Sequence, residues 1–248
     1  MALKGAIRDK TGEILMRTIF VITLTLLLGT NTFALEQKSI SRVEIDELIA
    51  ETQKTPPCGD EHMALVWWLP FEFWQASFAS DTTSSQHDVQ AMLNTLQPYF
   101  IIAVVQADIS AFGAFTFYPK DAVEQNMTAT YIDENGRNIQ LESVQTLDPD
   151  LEMLIATFKP VLGAAMGNLG ENFHFYVYSD ISNAGTRKVD PHMKGKLTVR
   201  LAQSNGKILK TEIETPLNSL YVLRKCPNGK NAHVSWNYCP WTGKALSM

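Results

Sequence analysis

Three cysteines, five histidines and a set of carboxylates carry most of the reactive chemistry in this chain. Cys58 and His62 are separated by three intervening residues, a spacing suited to two ligands of one metal ion. Cys226 and Cys239 add two thiols near the C-terminus, and the four together make a Cys₃His donor set. That is the complement of a structural tetrahedral zinc site, with His233 as a substitute ligand. A second grouping, Asp180, Asp190 and His192, flanks the polar stretch Ser179–Lys194. Its donor types suit a metal- or carboxylate-assisted hydrolase; a solvated surface loop is the competing reading. The third grouping is aromatic: Trp67, Trp68, Phe71, Phe73, Trp74 and Phe78 crowd one short segment, and Trp236 and Trp241 lie in the tail. Such rings are candidate binding platforms when exposed and ordinary core when buried. No G-x-S-x-G elbow, H-E-x-x-H helix, P-loop or dinucleotide fingerprint occurs, so catalysis is the less favoured reading.

These groups sit in a chain of 248 residues, 45% apolar and 19% charged, which is a globular composition. The net charge of −5 gives no electrostatic support for binding nucleic acid. Near the N-terminus Ile19–Leu28 (IFVITLTLLL) is uncharged, follows Arg17 and precedes Thr32-Phe33-Ala34. A basic n-region, a short apolar run and a small residue at the exit describe a secretory signal peptide over residues 16–34. The run is too short for a comfortable transmembrane span of about 20 residues, although an uncleaved anchor is the alternative. Asp9 and Glu13 precede it, so residues 1–15 read as an extension upstream of a start at Met16. Removing residues 1–34 takes away four basic and two acidic residues and leaves a net charge of −7.

The elements that must position the candidate residues lie in an α+β domain over residues 35–224. A mixed or antiparallel sheet and about three helices are expected, because the order of elements is not a regular βαβα alternation. Ser41 and Glu44 have the capping-box spacing, with Ile40 and Ile45 as a hydrophobic staple, and Thr55-Pro56-Pro57 closes that helix. Ser85 and Asp88 open a second helix that turns Val89, Met92, Leu93 and Leu96 inward. Asp148-Pro149 opens a third, interrupted at Pro160 and ended by Gly167 or Gly170. Met63–Leu69 and Tyr99–Ala107 are buried strands, and Phe112–Tyr118 is a partner. Hairpins are expected around Asp133-Glu134-Asn135-Gly136 and Ser204-Asn205-Gly206, with further short strands at Ser219–Leu223 and Ala232–Trp236.

The tail over residues 225–248 carries the most specific local pattern. Cys226-Pro227-Asn228-Gly229 and Cys239-Pro240-Trp241-Thr242-Gly243 resemble the two C-P-x-C-G knuckles of a rubredoxin-like zinc ribbon. Gly229 and Thr242 stand where that family has its second cysteines, so half the ligand set is missing. The resemblance implies facing knuckles with Cys226 and Cys239 close together, and a disulfide between them in an oxidising compartment. With Cys58 joining, the same tail reads as a zinc site. The chain as a whole looks like a secreted bacterial protein. The leading expectation is an exported, soluble binding or assembly module, periplasmic or secreted, with a cysteine-closed hairpin and an unidentified protein or small molecule as its ligand. The alternatives are an exported metal- or carboxylate-dependent hydrolase and a membrane-tethered accessory protein.

Overall fold

The computed structural model describes residues 35–80 and 83–246; the expected extension and signal peptide at 1–34 lie outside the described residues. Leu35–Met248 forms one compact unit. Its elements are α1 (Ile45–Thr52), β1 (Gln53–Lys54), β2 (His62–Leu69), α2 (Phe71–Ala79), α3 (Gln86–Leu96), β3 (Tyr99–Ile109) and β4 (Phe115–Phe117). They continue with α4 (Lys120–Asn126), β5 (Met127–Ile132), β6 (Asn138–Leu141), α5 (Pro149–Met166), α6 (Asn168–Glu171), β7 (His174–Ser179), β8 (Gly195–Ala202) and β9 (Ile208–Thr215). The architecture is α+β with two antiparallel sheets.

The first sheet is built on β3, whose residues Phe100–Ala107 are all buried. A continuous apolar and β-branched run suits a strand covered on both faces. One edge of β3 pairs with β2, Trp67 opposite Ala103. The other edge is shared by β7, Phe175 opposite Ala103, and by β4, Phe117 opposite Ala107. The second sheet runs β6-β5-β8-β9. Along β9 burial alternates residue by residue, so Leu209, Thr211 and Ile213 face the core while Lys210 and Glu212 face water. Gly136 and Gly206 turn its two hairpins at φ +77° and +79°.

Several expectations need correction. Among the described residues six helices form rather than about three, because the aromatic run after Pro70 coils into α2 and two short helices, α4 and α6, form with no side-chain cap. Ser41 does not cap α1: Ile40–Arg42 is a 3₁₀ turn, and the helix starts at Ile45 behind Glu44, with no side-chain cap. That helix stops at Thr52 because Gln53 and Lys54 pair with β2 before the prolines are reached. Pro160 lies inside the continuous span of α5. Neither Ser219–Leu223 nor Ala232–Trp236 is a strand; Asn218–Leu220 is a 3₁₀ turn and Tyr221 makes one isolated bridge to Gln37. The Ser85 cap is present, its Oγ accepting from the Asp88 N–H at 3.2 Å, as is the Asp148 cap of α5.

Candidate functional site

Helix α3 packs against both α2 and α5. An apolar cleft of about 500 Å³ remains between them. Trp74 and Phe158 lie at its base, their ring centroids 5.1 Å apart and edge to face. Phe158 continues the contact to Phe175 and Trp67 on the sheet. The rim is apolar and open: Met92 is 38% exposed, Val161 57% and Met153 66%. Among the described residues lining it, only Asp88 and Asp150 are charged, both at helix N-termini. Donation from the Ser85 hydroxyl, then from His87, holds the Asp88 carboxyl below its usual range. A site of this kind accepts an apolar body and favours a cationic or hydrogen-bond-donating end.

Of the aromatic candidates, Trp74 lines this cleft. Trp67 and Trp68 are core residues of β2, 4% and 0% exposed, and offer no binding surface. Trp236 and Trp241 are exposed in the tail, edge to face at 5.8 Å, with the Lys230 ammonium over Trp241. The sequence reading missed Met92, Met153 and Val161 as a surface. The available signal was α5 itself, apolar around most of its circumference, although only Leu151 and Leu162 are buried.

The stretch Ser179–Lys194 is not a free loop. Asp180 is fully buried and accepts from Arg187 Nε at 2.7 Å and from the Val189 N–H at 2.9 Å. Arg187 reaches on through Nη1 to Glu72 Oε1 of α2. His192 Nε2 stands 3.5 Å from the same oxygen and its Nδ1 3.3 Å from the Tyr221 hydroxyl, while Asp190 accepts from the His192 N–H. Burial pushes Glu72 up, but the contacts from His192 and Arg187 outweigh it and hold the carboxyl low. Asp180 and His192 are thus brought together through Arg187 and Glu72, as a clamp between loop and helix rather than as an open hydrolytic site.

His62 is also committed. Gln106 donates from Nε2 to the Ala202 carbonyl at 3.0 Å and to His62 Nε2 at 3.2 Å. The imidazole proton therefore sits on Nδ1 and is donated to Asp108 Oδ1 at 2.8 Å. Tyr118 and Ser204 donate to the same carboxylate. Both ring nitrogens are used in a polar tie between the two sheets. Cys58 packs against the main core, whereas Cys226 and Cys239 form a separate buried cluster with Ala232. The alternative Cys₃His set of Cys58, His62, Cys226 and Cys239 is therefore not assembled. Among the described residues no three His, Cys, Asp or Glu side chains converge as a metal site, and His233 is bonded to Ser235.

In the tail two tight loops face each other, closed by Cys226 N–H to Lys230 and by Cys239 N–H to Lys244, both at 2.8 Å. Gly229 and Gly243 supply the positive φ each turn requires, +81° and +67°. All three cysteines are free thiols, so the expected Cys226–Cys239 disulfide is not formed in this structure. Cys226 and Cys239 pack instead as free thiols in one small buried cluster. Thr242, at the place of a missing knuckle cysteine, lies beside the Cys239 thiol and helps to hold it low.

Compared with protein-family models, curated proteins and solved structures, the chain matches none.

Proposed function

We propose that the chain is an exported binding module that holds an apolar ligand with a cationic or donor-bearing head in the α2/α3/α5 cleft. The observation carrying this reading is an uncovered apolar cleft of about 500 Å³ with an acidic mouth, within the roughly 300–1,000 Å³ of small-molecule sites. Methionines on the rim suit ligands of varied shape, because their unbranched side chains adapt at low cost. The export half rests on Ile19–Leu28 and the Thr32-Phe33-Ala34 exit. No helix among the described residues is long and apolar enough to cross a membrane. The test is titration with the neutral apolar probe N-phenyl-1-naphthylamine. Saturable one-to-one fluorescence enhancement, lost in Ala91→Trp, supports the cleft; unchanged binding by that variant refutes it. Ala91 is exposed on α3, so the larger ring fills the cleft without entering the core.

One observation favours assembly as a second reading. The β3–β4 hairpin presents Phe112 at its tip, 99% exposed, with no charged residue from Ile109 to Tyr118. The turn is fixed by Ser110 N–H to Ala114 at 2.9 Å. The cleft base lies over Ala103, six residues of β3 before Ile109, or about 20 Å. Its own cleft is out of reach of the tip, so the assembly reading has Phe112 enter the cleft of a neighbouring copy. Two phenyl rings bury only about 300–400 Å², so such an interface is weak. Sedimentation that depends on concentration in the unaltered chain and not in Phe112→Asp supports it; identical behaviour removes it.

A further inference from the structure

We propose that Cys226 and Cys239 form a thiol–disulfide couple in which Cys239 is the attacking thiol and Cys226 the resolving one. The two cysteines pack together with Ala232 in one small buried cluster at the knuckle loops. Both cysteines are buried, at 3% and 1% exposure, under a thin cover of Ala232 and Leu246. A cluster this small opens locally far more readily than the main core, which gives a small reagent access.

The two thiols differ in their surroundings. Burial pushes Cys239 up, but donation from Cys226, from the Thr242 hydroxyl and from the Trp241 and Thr242 N–H groups outweighs it and brings the thiol down to about 7. Cys226 receives no such set; burial and then Cys239 push it up to about 11. The Cys239 thiolate is thus the nucleophile available near neutral pH. Its partner oxidant is a small external disulfide such as glutathione disulfide. In the first step the Cys239 thiolate bonds to one sulfur of that disulfide, whose S–S bond breaks and releases one thiolate. The mixed disulfide carries no charge at Cys239, so Cys226 loses the neighbour that disfavoured its ionisation. Cys226 then gives up its proton and attacks Cys239 Sγ, expelling the second thiolate. The two cysteines are oxidised by two electrons, and the external disulfide is reduced to two thiols. The product staples both loops and fixes the segment between them, which carries Trp236 and Tyr238.

The test uses the full chain carrying Cys58→Ala, with Cys226→Ser and Cys239→Ser added singly, treated with glutathione disulfide at pH 7 and followed by intact mass. The Cys58→Ala parent is expected to lose two hydrogens and retain no adduct. Cys226→Ser keeps a donor beside Cys239 and is expected to trap one glutathione on it. In Cys239→Ser the adduct on Cys226 is expected at least tenfold more slowly, the lower nucleophilicity of a low-pKa thiolate offsetting part of the ionisation advantage. Peptide-resolved alkylation of the Cys58→Ala parent with iodoacetamide, with both serine variants left out, is a check that does not depend on their folding. It is expected to place the Cys239 midpoint near 7 and well below that of Cys226. Equal rates, faster modification of Cys226, or a dithiol that glutathione disulfide leaves unchanged overturns the assignment.

Discussion

Replacing Arg187 with methionine leaves buried Asp180 without a charged partner and Glu72 with His192 alone. Glu72 and Asp180 have side chains 8% and 0% exposed, and Arg187 is the only basic residue that meets both among the described contacts. Each charge was taken out of water on folding, and neither can recover hydration once the guanidinium is gone. Loss of one partner from a buried ionic group costs about 3–5 kcal/mol, because the desolvation penalty stays while the attraction is lost. With a urea slope of about 3 kcal/mol per molar, the unfolding midpoint falls by about 1–1.7 M. The thermal midpoint falls by about 6–20 °C for a chain of this size. Equilibrium urea unfolding followed by tryptophan fluorescence measures it, and an unchanged slope shows that stability rather than compactness has altered. Glu72→Met combined with Arg187→Met is expected to recover part of the loss, since one stranded carboxylate is removed and Asp180 keeps the Val189 N–H. A cost below about 1 kcal/mol for Arg187→Met refutes the clamp and places the group with ordinary surface pairs.

Gln106→Leu is expected to cost about 1–3 kcal/mol in urea unfolding, because it leaves His62 Nε2 and the Ala202 carbonyl without their shared donor. Gly170→Ala is expected to destabilise by about 1–3 kcal/mol, since its methyl group overlaps the Leu162 backbone carbonyl. On acidification Glu72 and Asp108 work in one direction. Both are held below their usual range in the fold, Glu72 by His192 and Arg187 and Asp108 by His62, against burial that raises each. Their contribution is present above the unfolded-chain values of 4.5 and 3.8 and is lost as pH falls through the folded values. Asp180, raised by burial, acts oppositely as a single group. The urea midpoint is therefore expected to drop between pH 5 and pH 3, and a midpoint that rises across this window contradicts the assignment.

Much of the fold was legible where one local rule acted alone. The β-branched run of β3, the Gly136 and Gly206 turns and the Ser85 and Asp148 caps each depend on neighbours in sequence. The misreadings came where tertiary pairing overrode a local signal. Gln53 and Lys54 end α1 by joining β2, and Phe71–Ala79 coils because its rings find partners on α5 and the sheet. The candidate site divided in the same way. Trp74 and the tail cysteines could be named from their types. Glu72 and Arg187 could not, being 115 positions apart, and neither could the acidic mouth formed by Asp88 and Asp150 from two separate helix starts.

The measurement that bears most directly on the cleft is a calorimetric comparison of decyltrimethylammonium with decanoate, below their micellar concentrations, on the unaltered chain and on Ala91→Trp. Two exposed carboxylates at the mouth favour the ammonium over the carboxylate head group by about tenfold in affinity. The expected result is one-to-one binding that favours the ammonium by about that factor and disappears in Ala91→Trp. Equal affinity for both head groups, or binding that Ala91→Trp retains, contradicts an apolar cleft with an acidic mouth as the ligand site.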